Sequence, residues 1–148
     1  MKVNMVDLNR QAALRAAIEQ FFFAYRAFTA PPDEILAARG LGRVHHRVLY
    51  FVGRNPGATV TTLLSVLGVS KQALNAPLRQ LVESGLVEAA ADPIDRRMKR
   101  LTLTAAGVAL EGELSGTQMA MLEQVFAGAG AEAERAWRGV MEALIHRR

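Results

Sequence analysis

Cysteine is absent from the 148-residue chain, which excludes disulfides, thiol nucleophiles, cysteine-based zinc sites and thiol redox switches. Long apolar runs are missing too. No stretch approaches the roughly 20 residues needed to span a bilayer, and Met1-Lys2-Val3-Asn4-Met5-Val6-Asp7 lacks the continuous apolar core of a secretory signal. A cytoplasmic protein with no membrane partner is therefore expected. No glycine-rich phosphate loop, nucleophile elbow, His-x-x-x-His pair or Glu-rich metal motif occurs, so the expectation is no catalytic residue and no cofactor. Histidine is limited to His45, His46 and His146. Neighbouring residues on a helix point about 100° apart, so His45 and His46 are poorly placed to share one ion, and no metal site is expected.

Acidic residues are missing over one long stretch. None occurs from Ile35 to Val82, where Arg39, Arg43, Arg47, Arg54, Lys71 and Arg79 lie. Extending to Thr104 gives ten basic and four acidic residues, against eight and ten in the rest of the chain. The net charge of +4 says less than this placement, which is the footprint of one lobe facing a polyanion. Asp92 and Asp95 sit in a loop rich in arginine, which favours stable ionisation over acid–base work.

Half the residues are apolar, enough for one packed domain. Residues from about Leu8 to Phe28 read as one Ala-rich helix that Pro31-Pro32 should end. Leu14, Ile18, Phe21, Phe22, Phe23, Tyr25 and Phe28 cover more of its circumference than one core-facing stripe requires. Ala105 to about Phe126 and Glu132 to His146 read as two further helices, separated at Gly128-Ala129-Gly130. Trp137, Val140, Met141 and Leu144 form a stripe on the last. Terminal helices this apolar suggest a helical dimerisation layer, with a larger monomeric core as the alternative.

The middle of the chain is patterned differently. Val44, Val48, Leu49 and Val52 outline a helix stopped by Asn55-Pro56-Gly57, and Thr59 or Thr61 can cap a short helix carrying Leu63, Leu64 and Leu67. Gly68 suits the left-handed position after that helix, and Ser70 suits the N-cap of the next. Two short helices joined in this way form a helix-turn-helix. From Lys71 to Ser84, Leu74, Leu78, Leu81 and Val82 fall on one side, while Gln72, Asn75, Ala76 and Arg79 fall on the other. Pro77 lies inside this helix and should kink it, at a cost of about 3 kcal/mol. Gly85 ends the helix. Strands then follow at Leu86-Val87-Glu88-Ala89 and Arg100-Leu101-Thr102-Leu103, joined by a charged turn. The fold class expected is mainly α with a small β-hairpin wing.

Gly85-Leu86-Val87, the loop Asp92-Pro93-Ile94-Asp95-Arg96-Arg97, and Leu101-Thr102-Leu103-Thr104-Ala105-Ala106-Gly107 resemble the wing signature of the MarR family, and the order of helices around it matches. The resemblance implies a homodimeric winged helix-turn-helix regulator, acting as a repressor on a roughly palindromic double-stranded DNA operator. Residues 1–30 and 105–148 would form the dimerisation layer, and residues 31–104 the DNA-binding lobe. It implies groove contacts from Gln72, Asn75 and Arg79, with Ser70 and Lys71 near phosphates. Arg97 would reach the minor groove, Asp95 would brace the wing loop by an ion pair, and Arg96 and Lys99 would touch phosphates. Relatives bind small aromatic or phenolic effectors between the two layers, which points to Phe22, Tyr25, His45 and His46 as pocket residues. The competing reading is a winged helix used as a protein-interaction module without DNA binding.

Overall fold

The computed structural model describes residues 5–147. Its order is α1 (Met5–Ala38), α2 (Arg43–Arg54), β1 (Ala58–Thr59), α3 (Val60–Leu67), α4 (Lys71–Glu83), β2 (Val87–Ala91), β3 (Lys99–Leu103), α5 (Ala105–Ala129) and α6 (Ala131–Ile145). The mainly helical architecture with a hairpin wing is the one expected. A third strand joins it: β1 pairs antiparallel with β3, giving the sheet order β1-β3-β2. Register places Ala58 opposite Leu101 and Val87 opposite Leu103.

One core holds the helix-turn-helix and the wing together. Val48, Leu49 and Val52 of α2, Leu63 of α3, Leu74 and Leu81 of α4, Leu86, Val87 and Leu101 are all buried in a single cluster, which Leu110 and Leu114 of α5 join. A clustered aliphatic core of this kind resists relative motion of its parts because side chains interdigitate at close to crystal density. Val82, read as core-facing, lies at the edge of α4 and is exposed.

The end of α1 is a correction. Pro31 and Pro32 do not stop the helix, which runs 34 residues to Ala38. Proline removes a backbone donor and so orphans the carbonyl four residues back. For Pro32 that carbonyl belongs to Phe28, and Gln118 Nε2 of α5 donates to it at 3.3 Å. Beyond the prolines, Pro32 itself and Leu36 one turn on are fully buried, so packing holds the last turns. The division between layers drawn at residues 30 and 31 therefore falls inside one continuous helix. Pro77 likewise sits within an unbroken α4.

A second apolar surface has no cover in this chain. Ile18 and Phe22 of α1, Met119 and Val125 of α5, and Val140 and Ile145 of α6 are all more than half exposed. None of the described residues of α6 is buried. Among the described residues no helix is long and apolar enough to cross a membrane, and no group of three or more potential metal ligands occurs.

Candidate nucleic-acid interface

The turn between α3 and α4 is built from residue types that its geometry demands. Gly68 closes α3 at φ +65°, a left-handed conformation that side chains resist. Thr59 caps α3 by accepting from the Thr62 amide at 3.2 Å. Ser70 caps α4, its Oγ accepting from the Ala73 amide at 3.1 Å, so that hydroxyl is committed to the helix. Lys71, Gln72, Asn75 and Arg79 are all exposed on α4. Leu74 and Leu81 anchor the opposite side in the core. The four polar side chains form no hydrogen bond or ion pair among the described residues, so their donors and acceptors are free for an outside partner.

The wing loop is braced mainly by Asp92, a residue the sequence reading left without this role. Asp92 is buried at 7% exposure. Its Oδ1 accepts from the Ile94 and Asp95 amides at 2.8 and 2.9 Å, and Arg100 Nε donates to its Oδ2 at 2.6 Å. Arg100 also donates to the Gly57 carbonyl at 3.0 Å, which ties the loop to the approach of β1. The Asp95 amide, the Arg100 guanidinium and the Ile94 amide together hold the Asp92 carboxyl down to about 2. Since that value lies below the ordinary carboxylate range, the brace is intact above pH 4 and is lost only as pH falls toward 2.

Asp95 plays a smaller part. Its Oδ1 accepts from the Arg97 amide at 3.1 Å and lies 3.3 Å from Arg97 Nε. The Arg97 side chain is nonetheless 92% exposed. Arg96 and Lys99 are exposed and unpaired among the described residues. The wing thus presents three cations on a loop whose acids are turned inward or engaged.

The residues read as pocket-lining separate into two pairs. A cavity of about 530 Å³ lies between α1, α2 and α5, and Tyr25 and His46 line it. Phe22 and His45 do not. Phe22 is 62% exposed on the uncovered face. His45 Nδ1 accepts from the Gly42 amide at 2.9 Å, so Nε2 carries the hydrogen and donates to Gln80 Oε1 at 2.9 Å. Its work is to start α2 and tie it to α4. Sequence spacing missed Arg47, whose Nη2 donates to the Tyr25 hydroxyl at 2.8 Å, and Arg43, which pairs with Asp33 at 2.9 Å and lies 5.6 Å from the Tyr25 ring centroid.

His46 Nε2 lies 3.3 Å from Ser115 Oγ, and Ser115 donates to Glu111 Oε1 at 2.8 Å. The serine hydrogen is used toward Glu111, so His46 donates. Burial pushes the His46 imidazolium below its ordinary 6.5, against the smaller opposing pull of Glu111 and Asp33. The unfolded chain then takes up a proton that the folded chain refuses. Stability should accordingly be full above about pH 6.5 and decline below it until folded-state His46 itself protonates. Melting midpoints measured between pH 5 and 8 should show this decline, and His46→Gln should flatten it. An unchanged slope in the variant would remove His46 as the cause.

These features can be set beside known proteins. A sequence model of the MarR family matches residues 39–98. The HTH-type transcriptional regulator PetP of Rhodobacter capsulatus is 49% identical over 132 residues, covering 89% of this chain and 80% of that protein. The fold is shared with Streptococcus pneumoniae FabT, solved in complex with DNA, at TM-score 0.80 and 18% identity over 89% of this chain and 94% of that one. It is shared also with MarR itself at TM-score 0.69 and 22% identity, over 89% and 88% of the two chains. With the helix-turn-helix, the braced wing and a relative at this identity together, the chain belongs to the MarR family of winged-helix transcriptional regulators.

Proposed function

We propose that this regulator is a homodimer that represses transcription by binding a roughly palindromic double-stranded operator, with α4 in the major groove and the wing in the adjacent minor groove. One observation carries this reading. Uncommitted Gln72, Asn75 and Arg79 on α4 and cationic Arg96, Arg97 and Lys99 on the wing are fixed to the same core. Asn and Gln pair bidentately with adenine and Arg with guanine, each worth about 1–3 kcal/mol of discrimination. The wing cations suit a narrow groove where negative potential concentrates. FabT, of the same fold, was solved on DNA, which supports the docking.

The dimer follows from the uncovered apolar face. An exposed surface built from α1, α5 and α6 is too large and too contiguous for a lone monomer, and a two-fold interface would cover it with its own copy. Residues 1–30 and 105–148 are assigned to this layer. Recognition helices would then sit about 34 Å apart, one helical turn of DNA. We also assign the α1–α2–α5 cavity to a small aromatic effector. Tyr25 and Tyr50 offer ring faces there, and Arg47 offers charge. Filling it would press α2 away from α5 and alter the spacing of the two lobes.

Selection of bound duplexes from a random pool tests the reading, with a palindrome of one-turn spacing as the expected result. Within that operator, Asn75→Ala should relax preference at one base pair by about tenfold. Lys71→Ala should weaken all sequences alike and lower the salt slope by about 0.9. Equal losses across a panel of altered operators would contradict the division of roles. A winged helix serving only protein interaction would show no salt-dependent affinity for any duplex.

A further inference from the structure

We propose that Ile94 is a specificity-determining residue, an aliphatic wing tip that enters the minor groove and selects A·T over G·C pairs there. The inference rests on the DNA-binding reading above and adds a residue and a discrimination to it. Ile94 is 97% exposed, more than any other large apolar residue described. It lies in the wing loop, outside the α1, α5 and α6 elements that carry the uncovered apolar face, and nothing in this chain covers it. An isolated exposed aliphatic is unremarkable on a mobile surface. Here its backbone is pinned.

The Ile94 amide donates to Asp92 Oδ1 at 2.8 Å, and Pro93 fixes the preceding φ. On either side of the tip, the Asp92 amide donates to the Met98 carbonyl at 2.9 Å and the Met98 amide to the Asp95 carbonyl at 3.0 Å. The ordering that binding requires has therefore already been done in folding. The occupant is set by charge. Arg96, Arg97 and Lys99 surround the tip, while Asp92 faces inward to Arg100 and Asp95 engages Arg97. A cationic finger with an apolar point fits a groove whose phosphate rims are anionic and whose walls are deoxyribose C–H groups. Inserted aliphatic side chains are a recurrent device for gripping that groove.

Discrimination follows from the groove floor. A·T pairs present only the adenine N3 and thymine O2 acceptors there, whereas G·C adds the guanine 2-amino group. An isoleucine pressed onto that amino group offers it no acceptor and bars water from it, leaving a donor unsatisfied.

The test measures binding of the wild type and Ile94→Ala to the selected operator by fluorescence anisotropy. Single A·T pairs in the flanks under the wing are replaced in turn by G·C and by inosine·C. Inosine·C resembles G·C in the major groove but lacks the 2-amino group in the minor groove. Expected is a wild type that loses about tenfold on G·C at one flank position and recovers on inosine·C. Ile94→Ala should bind the A·T operator about fivefold more weakly, with discrimination below twofold and the same salt slope as wild type. Its melting midpoint should be unchanged, since the side chain touches no core. Equal affinity and equal discrimination in Ile94→Ala, or a G·C penalty that inosine does not relieve, would overturn this proposal while leaving the regulator reading intact. Failure of the wild type to bind any duplex would sink both.

Discussion

Replacing Arg97 with alanine is expected to weaken operator binding about 100-fold while leaving the melting midpoint where it was. The side chain is 92% exposed and its pairing with Asp95, at 3.3 Å, is open to solvent. Such a pair contributes little to folding, so giving it up costs the protein little. That weakness suits a group meant to leave one partner for another. In a narrow minor groove the guanidinium meets concentrated negative potential with little competing water. A loss near tenfold per wing, doubled in free energy because two wings act in one dimer, gives the 100-fold figure. Anisotropy titrations across a range of salt would check it, and the slope should drop by about 0.9 for each phosphate neutralisation lost. Undiminished affinity would remove the wing from the interface.

The second large effect is on folding. Gly107→Ala should lower stability by about 3 kcal/mol, or roughly 10 °C in melting midpoint. A methyl group there would collide with the Leu86 carbonyl oxygen, which is backbone and cannot swing aside. That oxygen already accepts from the Thr104 amide at 3.1 Å. Thr104 Oγ donates to the Gly85 carbonyl at 2.6 Å and accepts from the Gly107 amide at 3.1 Å. The start of α5 is thus locked to the start of β2, and displacing one displaces the other. Gly112 provides the contrast. It lies in the same helix with open space around its added carbon, so Gly112→Ala should be neutral or stabilising by up to about 1 kcal/mol. Scanning calorimetry on both variants would separate crowding from a general change in helix propensity. Equal midpoints would show that the contact at Leu86 carries no weight.

What was legible in the sequence was local. Gly68 and Ser70 announced the turn because each residue type answers a single backbone requirement at its position. The outer face of α4 followed from spacing alone, since 100° per residue places Gln72, Asn75 and Arg79 together whatever surrounds them. The illegible parts all depended on partners far along the chain. Pro31-Pro32 reads as a stop unless Gln118, 90 residues from Phe28, is known to take up the freed carbonyl. Asp92 looks like one more charged turn residue until Arg100 and Gly57 arrive beside it. β1 is two residues long, too short for any alternation to show. Phe22 and Tyr25 are one turn apart on α1, yet only Tyr25 lines the cavity. A few tens of degrees of helix rotation decide such an outcome, and rotation is set by packing.

The unbroken α1 has a mechanical consequence. At 34 residues it is about 51 Å long, with its amino-terminal half on the uncovered face and its last turns in the lobe core. A rod gripped at both ends works as a lever. A tilt of only 5° about one end would carry the other through about 4 Å, comparable to a single helical turn of 5.4 Å. Small adjustments where two copies meet would then reach the DNA-facing lobes amplified, with no hinge between them to absorb the motion.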